Sequence, residues 1–357
     1  MRGRDERVKR LIDVYITAPS LGTKLDGGYF AHEYHEKMAR AGSWAEAGKC
    51  RGALIFTDHY SLDPWLVAQH LIERTETLIP LVAAQPPYMH PFTVARFISS
   101  LACMYGRRVD INLVTGGNRE HLAALGSLVD HDERYKRLIE FARAIGALLG
   151  SSDPVDMEGT YYQLRSAYVH PPLRPGMFPR FFAAGSSAAA RDAARRLKIT
   201  RLQYPRALPE YLPGGTDLKG TGIRLGIIAR DTSAQAWRIA EKRFPPSGLG
   251  ERRTKMIAPL IDSTWWHQLL EDSVEPQVPD SPYWVYPLRG YGEFCPYLVG
   301  DHRTVAEYFA RYLDLGITTL ILQLPREEED VQHAMIAVEQ AERLRLAVTT
   351  EGPDHGL

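Results

Sequence analysis

An apolar run, Phe182-Ala183-Ala184, gives way through Gly185-Ser186-Ser187 to a run of alanines, Ala188-Ala189-Ala190. That pattern delivers a strand into a helix whose first turn is small and hydroxylated. Unpaired N–H groups and the positive end of the helix dipole make such a start an anion site, and a phosphate would fit it. Serine is also a preferred helix cap, so Ser186 or Ser187 could equally serve that purpose alone. His131 and Tyr135 stand four residues apart, hence on one helical face, and both can donate to a phosphate oxygen. Their plainer reading is a helix capped by Asp130, with an exposed His and a packed Tyr. Val109–Val114 is a β-branched run that opens into Thr115-Gly116-Gly117-Asn118. A buried parallel strand ending in a polar, glycine-rich loop is where α/β barrels place their chemistry. Asp58-His59-Tyr60 follows another such run and offers His59 as a general base.

The elements that must position these residues alternate along the chain. Strands are expected at Leu11–Ile16, Gly52–Phe56, Leu78–Ala83, Val109–Val114, Phe178–Ala183, Ile199–Gln203, Ile223–Ala229 and Thr318–Leu322. Amphipathic helices are expected near Tyr29–Ala47, Pro64–Thr75, Pro91–Met104, Asp132–Leu149, Ser187–Leu197, Ala234–Arg243, Arg303–Leu315 and Glu327–Arg345. Strands apolar on both faces and separated by helices predict a parallel sheet, and about eight of them suit a closed (β/α)8 TIM barrel. An open doubly wound sheet would show the same alternation. Two insertions break the rhythm within what reads as one domain over 1–357. Residues 151–179, rich in Tyr and Pro, look like a β-hairpin excursion. Residues 244–296, with Trp265-Trp266, Trp284 and several prolines, are too long for an ordinary connection and suit a lid or binding loop.

The chain has 357 residues, with 43 basic and 43 acidic side chains, so no bulk charge favours nucleic acid or an anionic membrane. Small molecules become the expected partners. No segment is long and apolar enough to span a bilayer, and the N-terminus lacks the pattern of a signal peptide. Cys50, Cys103 and Cys295 lie far apart, without CxxC or Cys/His spacing, so no disulfide framework and no metal site is expected. This usage fits a reducing cytoplasm.

Taken in order, the motifs carry a resemblance. Asn112–Asn118, Asp130-His131-x-Glu133-Arg134-Tyr135, Gly185-Ser186-Ser187-x-x-Ala190, and Gly222-Ile223-Arg224-Leu225 with Arg230-x-Thr232 and Ala236-Trp237 resemble the bacterial luciferase-like flavin-dependent monooxygenases. Thr57 to Trp65, Arg289-Gly290 and Leu298-Val299-Gly300-Asp301 add to it, and the similarity covers about residues 12 to 325. The nearest subgroup by these motifs is the alkanesulfonate monooxygenases. The resemblance implies a (β/α)8 barrel that uses reduced FMN, supplied by a separate NAD(P)H-dependent FMN reductase, and dioxygen to oxygenate a small organic substrate. It implies that His131, Tyr135, Ser186 and Ser187 hold the FMN phosphate and that Thr57, Ala83 and Asn112 line the isoalloxazine. Arg224 and Arg289 match active-site arginines suited to a sulfonate or another oxyanion, with an ion pair to a barrel carboxylate as their plainer role. A homodimer or homotetramer is implied as well.

Departures from the sulfonate pattern concern the substrate side. Ser61, a candidate catalytic residue with Arg224, Arg289 and His59, replaces a cysteine, Gly226 a histidine, Leu324 a tyrosine, and Ala18-Pro19-Ser20 stands where a histidine is usual. The expected substrate is therefore a specialised metabolite bearing a sulfonate or other anionic group rather than a simple alkanesulfonate. Gly226 removes bulk, and Tyr204, Trp265, Trp266, Trp284, Tyr286 and Tyr291 could cover a larger molecule, or form a small core under the insertion or a subunit contact. The competing readings are a deazaflavin-dependent oxidoreductase of the same superfamily and a flavin-binding protein without turnover.

Overall fold

The structure, a computed structural model, describes residues 10–20, 31–211, 218–273, 280–323 and 325–350. Its strands are β1 (Asp13–Thr17), β2 (Gly52–Ile55), β3 (Ile79–Ala84), β4 (Asp110–Leu113), β5 (Val155–Glu158), β6 (Gln163–Ala167), β7 (Phe181–Ala184), β8 (Thr200–Gln203), β9 (Gly222–Arg230), β10 (Tyr283–Trp284), β11 (Tyr297–Asp301) and β12 (Thr319–Leu322). Its helices are α1 (Ala31–Ala47), α2 (Pro64–Arg74), α3 (Pro91–Tyr105), α4 (Arg119–Ala124), α5 (His131–Gly150), α6 (Ala188–Leu197), α7 (Ser233–Arg243), α8 (Gly248–Ile257), α9 (Thr264–Asp272), α10 (Tyr286–Tyr291), α11 (His302–Asp314) and α12 (Glu328–Thr350).

Strands β12, β1, β2, β3, β4, β7, β8 and β9 pair in that order, all in parallel, and β9 closes the ring on β12. This is the (β/α)8 barrel, and its eight strands are those the alternation predicts. Tyr15, Leu54, Leu81, Phe182, Leu202 and Ile321 form one buried cluster contributed by six of them, which marks the inward face. The outward residues join the main core under the surrounding helices. At the amino end of the barrel Tyr15 donates to Asp110 (2.8 Å) and accepts from Arg51 (2.9 Å), while Arg108 donates to Asp110 (2.7 Å). Burial beside Asp110 pushes the Tyr15 phenol well above its ordinary range, so it stays a donor and plugs this end.

The first insertion is the expected hairpin, with β5 antiparallel to β6. The second corrects the expectation of a loop: it holds α8, α9, α10 and β10, with 274–279 outside the described residues. Ser247 and Ser263 cap α8 and α9 by accepting from Gly250 (3.1 Å) and Trp266 (3.3 Å). Pro287 stands in the first turn of α10, where its missing N–H costs no helical bond, and Pro245, Pro246 and Pro282 lie outside the helices. The strand β11 was also not among those expected. It pairs in parallel with the second half of β9, Gly226–Arg230, after the first half has paired with β12, so β9 belongs to the barrel and then leaves it. At that departure the room left by Gly226 is taken by Tyr297, whose ring lies 2.2 Å from where a Cβ would stand. The bulk that Gly226 removes is thus filled by the protein itself. Among the described residues, no helix is long and apolar enough to cross a membrane.

Candidate functional site

Alternation along each barrel strand carries the inward face of Leu81, Phe182, Leu202 and Ile321 to Ala83, Ala184, Tyr204 and Gln323 at the carboxyl end. Ala83 and Asn112 are neighbours across β3 and β4, both buried. Asn112 keeps its side-chain carbonyl oxygen buried without a hydrogen-bond partner among the described residues, and the Gln203 amide nitrogen is in the same state. Asn112 shares the inward face with Ala83, whereas Gln203 alternates with the inward Leu202 and faces outward. Thr57 stands half-buried beyond β2.

Gly185 has φ +136° and lies so close to Tyr135 that a Cβ there would come 2.4 Å from the phenol oxygen. Glycine is required because both the backbone angle and the contact exclude a side chain. Tyr135 donates to the Ala184 carbonyl (3.2 Å) and stands within hydrogen-bonding reach of the Thr115 and Ser187 hydroxyls. Burial raises its pKa against the opposing effect of those hydroxyls. Ser187 caps α6 by accepting from Ala190 (3.2 Å), whereas Ser186 makes no such cap. His131 packs on Tyr135 with ring centroids 5.2 Å apart and is paired with Asp132 (2.8 Å). Asp130 precedes α5 without a side-chain capping bond.

A cavity of about 470 Å³ opens at this point, with His131, Ser186, Ser187, Arg191, Arg201 and Gln203 among its lining residues. The fold thus brings His131, Ser186 and Ser187 to one space. Arg201 and Gln203 escaped the reading of the sequence, although polar residues two apart on either side of Leu202 signal one polar face. Thr264 and Gln268 of the second insertion also line the cavity. Asp262, just before α9, latches that insertion down. Its N–H donates to the Gly117 carbonyl (2.7 Å) and its carboxylate receives Arg134 (2.6 Å), a buried arginine beside His131. Burial opposes ionisation of Asp262, yet the Arg134 contact outweighs it and its pKa is lowered. No local pattern in the sequence marks Asp262.

The expected catalytic residues separate. Arg224 donates through Nε and Nη2 to Gln323 Oε1 (3.0 and 2.7 Å), and Gln323 donates to Glu293 (2.7 Å). Tyr204 lies against Arg224, its phenol held above the ordinary range chiefly by burial. Arg289 instead binds within the insertion: it donates to the Ser273 carbonyl (2.8 Å), lies 3.6 Å from Glu251 and stacks on Tyr286. It shares no partner with Arg224 in the described structure. His59 is exposed and stacks on His121 (4.2 Å, 11°), near Tyr88. Burial and the adjacent His59 lower the His121 pKa. Ser61 is half-buried in a shallow recess with Ser20 and Tyr34. Leu324 lies outside the described residues, as does the side chain of Trp265. Trp266 packs with Leu269 and Leu288 against Tyr204, and Trp284 packs with Phe244 and Tyr297 beside Tyr286. Those aromatics form small cores under the insertion.

The profile of the luciferase-like monooxygenases matches residues 26–212. The chain is 32% identical, over 84% of its own length and 90% of the relative, to BtrO of Niallia circulans, a 4-(gamma-L-glutamylamino)butanoyl-[BtrI acyl-carrier protein] monooxygenase. Among solved structures it resembles a riboflavin lyase, RcaE, with modified FMN and riboflavin (TM-score 0.70, 15% identity, 98% of this chain and 94% of that one). It also resembles the EDTA monooxygenase of Chelativorans sp. BNC1 (TM-score 0.69, 16% identity, 95% and 94%). At such identities the solved structures speak for the fold, and the family rests on the profile and the curated relative; the alkanesulfonate subgroup is not singled out by either. The chain belongs to the luciferase-like monooxygenase family and is a flavin-dependent monooxygenase.

Proposed function

We propose that the enzyme takes reduced FMN from a separate NAD(P)H-dependent reductase and uses it with dioxygen to oxygenate a small organic substrate that carries an anionic group. The observation that supports this most is the convergence of Ser186, Ser187, His131 and Arg191 on one cavity at the carboxyl end of the barrel, the end where the buried Asn112 carbonyl oxygen has no partner among the described residues. The residues fit the cofactor. Ser186, Ser187 and the first turn of α6 would take its phosphate, with His131 and Tyr135 behind them, while Thr57, Ala83 and Asn112 would line its ring. Bound there, reduced FMN supplies the electrons that activate oxygen. The chain's own work is to orient it and to keep water away, which the insertion over the cavity serves.

Arg224 is the group best placed to meet the substrate anion, because its strand delivers it to the inner carboxyl end of the barrel. Its carboxamide partner Gln323 leaves its positive charge uncompensated by direct contact, with Glu293 one step further out. The substrate of BtrO bears a glutamyl group on an acyl chain tethered to a carrier protein. A carboxylate-bearing acyl amide of that class is the first substrate to try. A homodimer or homotetramer is the proposed assembly.

Anaerobic titration with reduced FMN, and separately with a reduced deazaflavin, tests the cofactor. Tight binding of FMN alone is expected, and the Asn112→Ala variant should bind it about 2- to 10-fold more weakly, the worth of one hydrogen bond. Preference for the deazaflavin would overturn the reading, and binding of neither would favour loss of turnover.

A further inference from the structure

Three side chains far apart in sequence meet at the outer end of the β9–β11 pair. Asp231 follows β9 directly, His302 opens α11 directly after β11, and His333 lies within α12. His302 Nε2 stands 2.8 Å from His333 Nδ1 with the ring planes 18° apart, while the opposite nitrogen of His302, Nδ1, is 3.9 Å from Asp231 Oδ1. One donor atom of each residue lies within 4.8 Å of the others. None of the three lines the cavity assigned to the flavin. We propose that Asp231, His302 and His333 form a binding site for a divalent first-row transition cation, with two imidazole nitrogens and one carboxylate oxygen as ligands.

Two imidazoles at this separation must share a proton, one nitrogen donating to the other. A cation replaces that proton and accepts both lone pairs. Ligand bonds of about 2.1 Å set the two nitrogens roughly 3.0 Å apart at a right angle and roughly 3.4 Å apart in a tetrahedron, close to the observed separation, and each ring must turn its lone pair from its partner toward the ion. Asp231 is exposed and supplies the negative charge. The adjacent Asp301 is already committed, accepting from the Thr304 N–H (2.9 Å) and the Ser233 hydroxyl (2.6 Å). Arg230, next to Asp231, is neutralised by Asp330 (2.8 Å) and so does not repel a cation with its full charge. Bound there, the ion would pin α11 and α12 to the end of β9. An ion held only by the folded chain raises its stability by mass action.

The chain carries an internal control. His35 and His70 also face each other at 3.0 Å, but among the described residues no third donor completes that pair. Tag-free full-length protein should be titrated calorimetrically with zinc chloride and with nickel chloride, and its thermal unfolding followed with each. One equivalent per chain and a rise in the unfolding midpoint are expected. Both should persist in His70→Ala. In His333→Ala affinity should fall by more than the roughly 10- to 100-fold that an outer-shell partner is worth. Asp231→Asn, an exposed change that leaves the metal-free midpoint unaltered, should weaken binding at least tenfold and keeps the test open if His333→Ala does not fold. No binding, or binding that survives Asp231→Asn unchanged or is lost equally in His70→Ala, would overturn the proposal.

Discussion

At the scale of single residues, Ser186 and Ser187 are neighbours with different duties. Ser187 caps α6, so its loss costs about 1 kcal/mol of stability in addition to any ligand contact. Ser186 has no such duty, which makes Ser186→Ala the cleaner probe. It is expected to keep the unfolding midpoint and weaken FMN binding by roughly 3- to 30-fold; an unchanged affinity would remove the phosphate assignment. The two arginines divide in the same way. Arg224→Ala should lower kcat/KM by about 10- to 100-fold with flavin affinity intact, since a charged hydrogen bond to substrate is lost. Arg289 is tied to Glu251 and Ser273 and is partly exposed, so Arg289→Ala should cost under about 1 kcal/mol through that pair and act on the insertion rather than on chemistry. Loss of turnover in Arg289→Ala with full stability would reverse this assignment.

Among the elements, the second insertion matters most to the site, because α9 supplies Thr264 and Gln268 to the cavity wall. Its attachment to the β4 end runs through Asp262. Asp262→Ala deprives the buried Arg134 of its carboxylate and should cost about 1.5–3 kcal/mol. Faster proteolysis within α8 and α9, together with weaker flavin retention, is the expected signature. Equal cleavage rates in the variant and the parent would mean that other contacts hold the insertion.

For the whole molecule, the buried Asp330 joins α12 to the end of β9 and to α7, accepting from Arg230 (2.8 Å) and Arg243 (2.9 Å). Burial would raise its pKa, but the two guanidinium hydrogen bonds outweigh that and lower it. A carboxylate with a lowered folded-state pKa contributes stability that is fully present above its unfolded value of about 3.9 and is lost as pH falls through the folded value. Asp330→Asn should therefore destabilise by about 3–5 kcal/mol at neutral pH, since it leaves the buried Arg230 without its carboxylate and Arg243 with Glu327 alone, 3.8 Å away. In urea unfolding followed from pH 7 down to pH 3 the gap between variant and parent should narrow at the acid end. A gap that stays constant would show that Asp330 keeps its charge across that range or acts through packing alone.

The strand and helix alternation is written locally, in runs that are apolar on both faces and in helices with one apolar side, and so, while the pairing of β9 with both β8 and β12 decided that the sheet closes, the sequence by itself determined the order of the elements. The same holds for the turn at Gly185-Ser186-Ser187 and for the helical pairing of His131 with Tyr135, whose geometry follows from spacing of a few residues. What only the tertiary structure decided are contacts between segments remote in sequence. Asp262 meeting Arg134, Arg289 pairing with Glu251 instead of a barrel carboxylate, Tyr297 filling the room left by Gly226, and Asp231 meeting His302 and His333 leave no periodic trace. The helices of 244–296 were hidden for a related reason: their short apolar faces pack on one another and on Tyr204 and gain meaning only once the barrel supplies the surface beneath them.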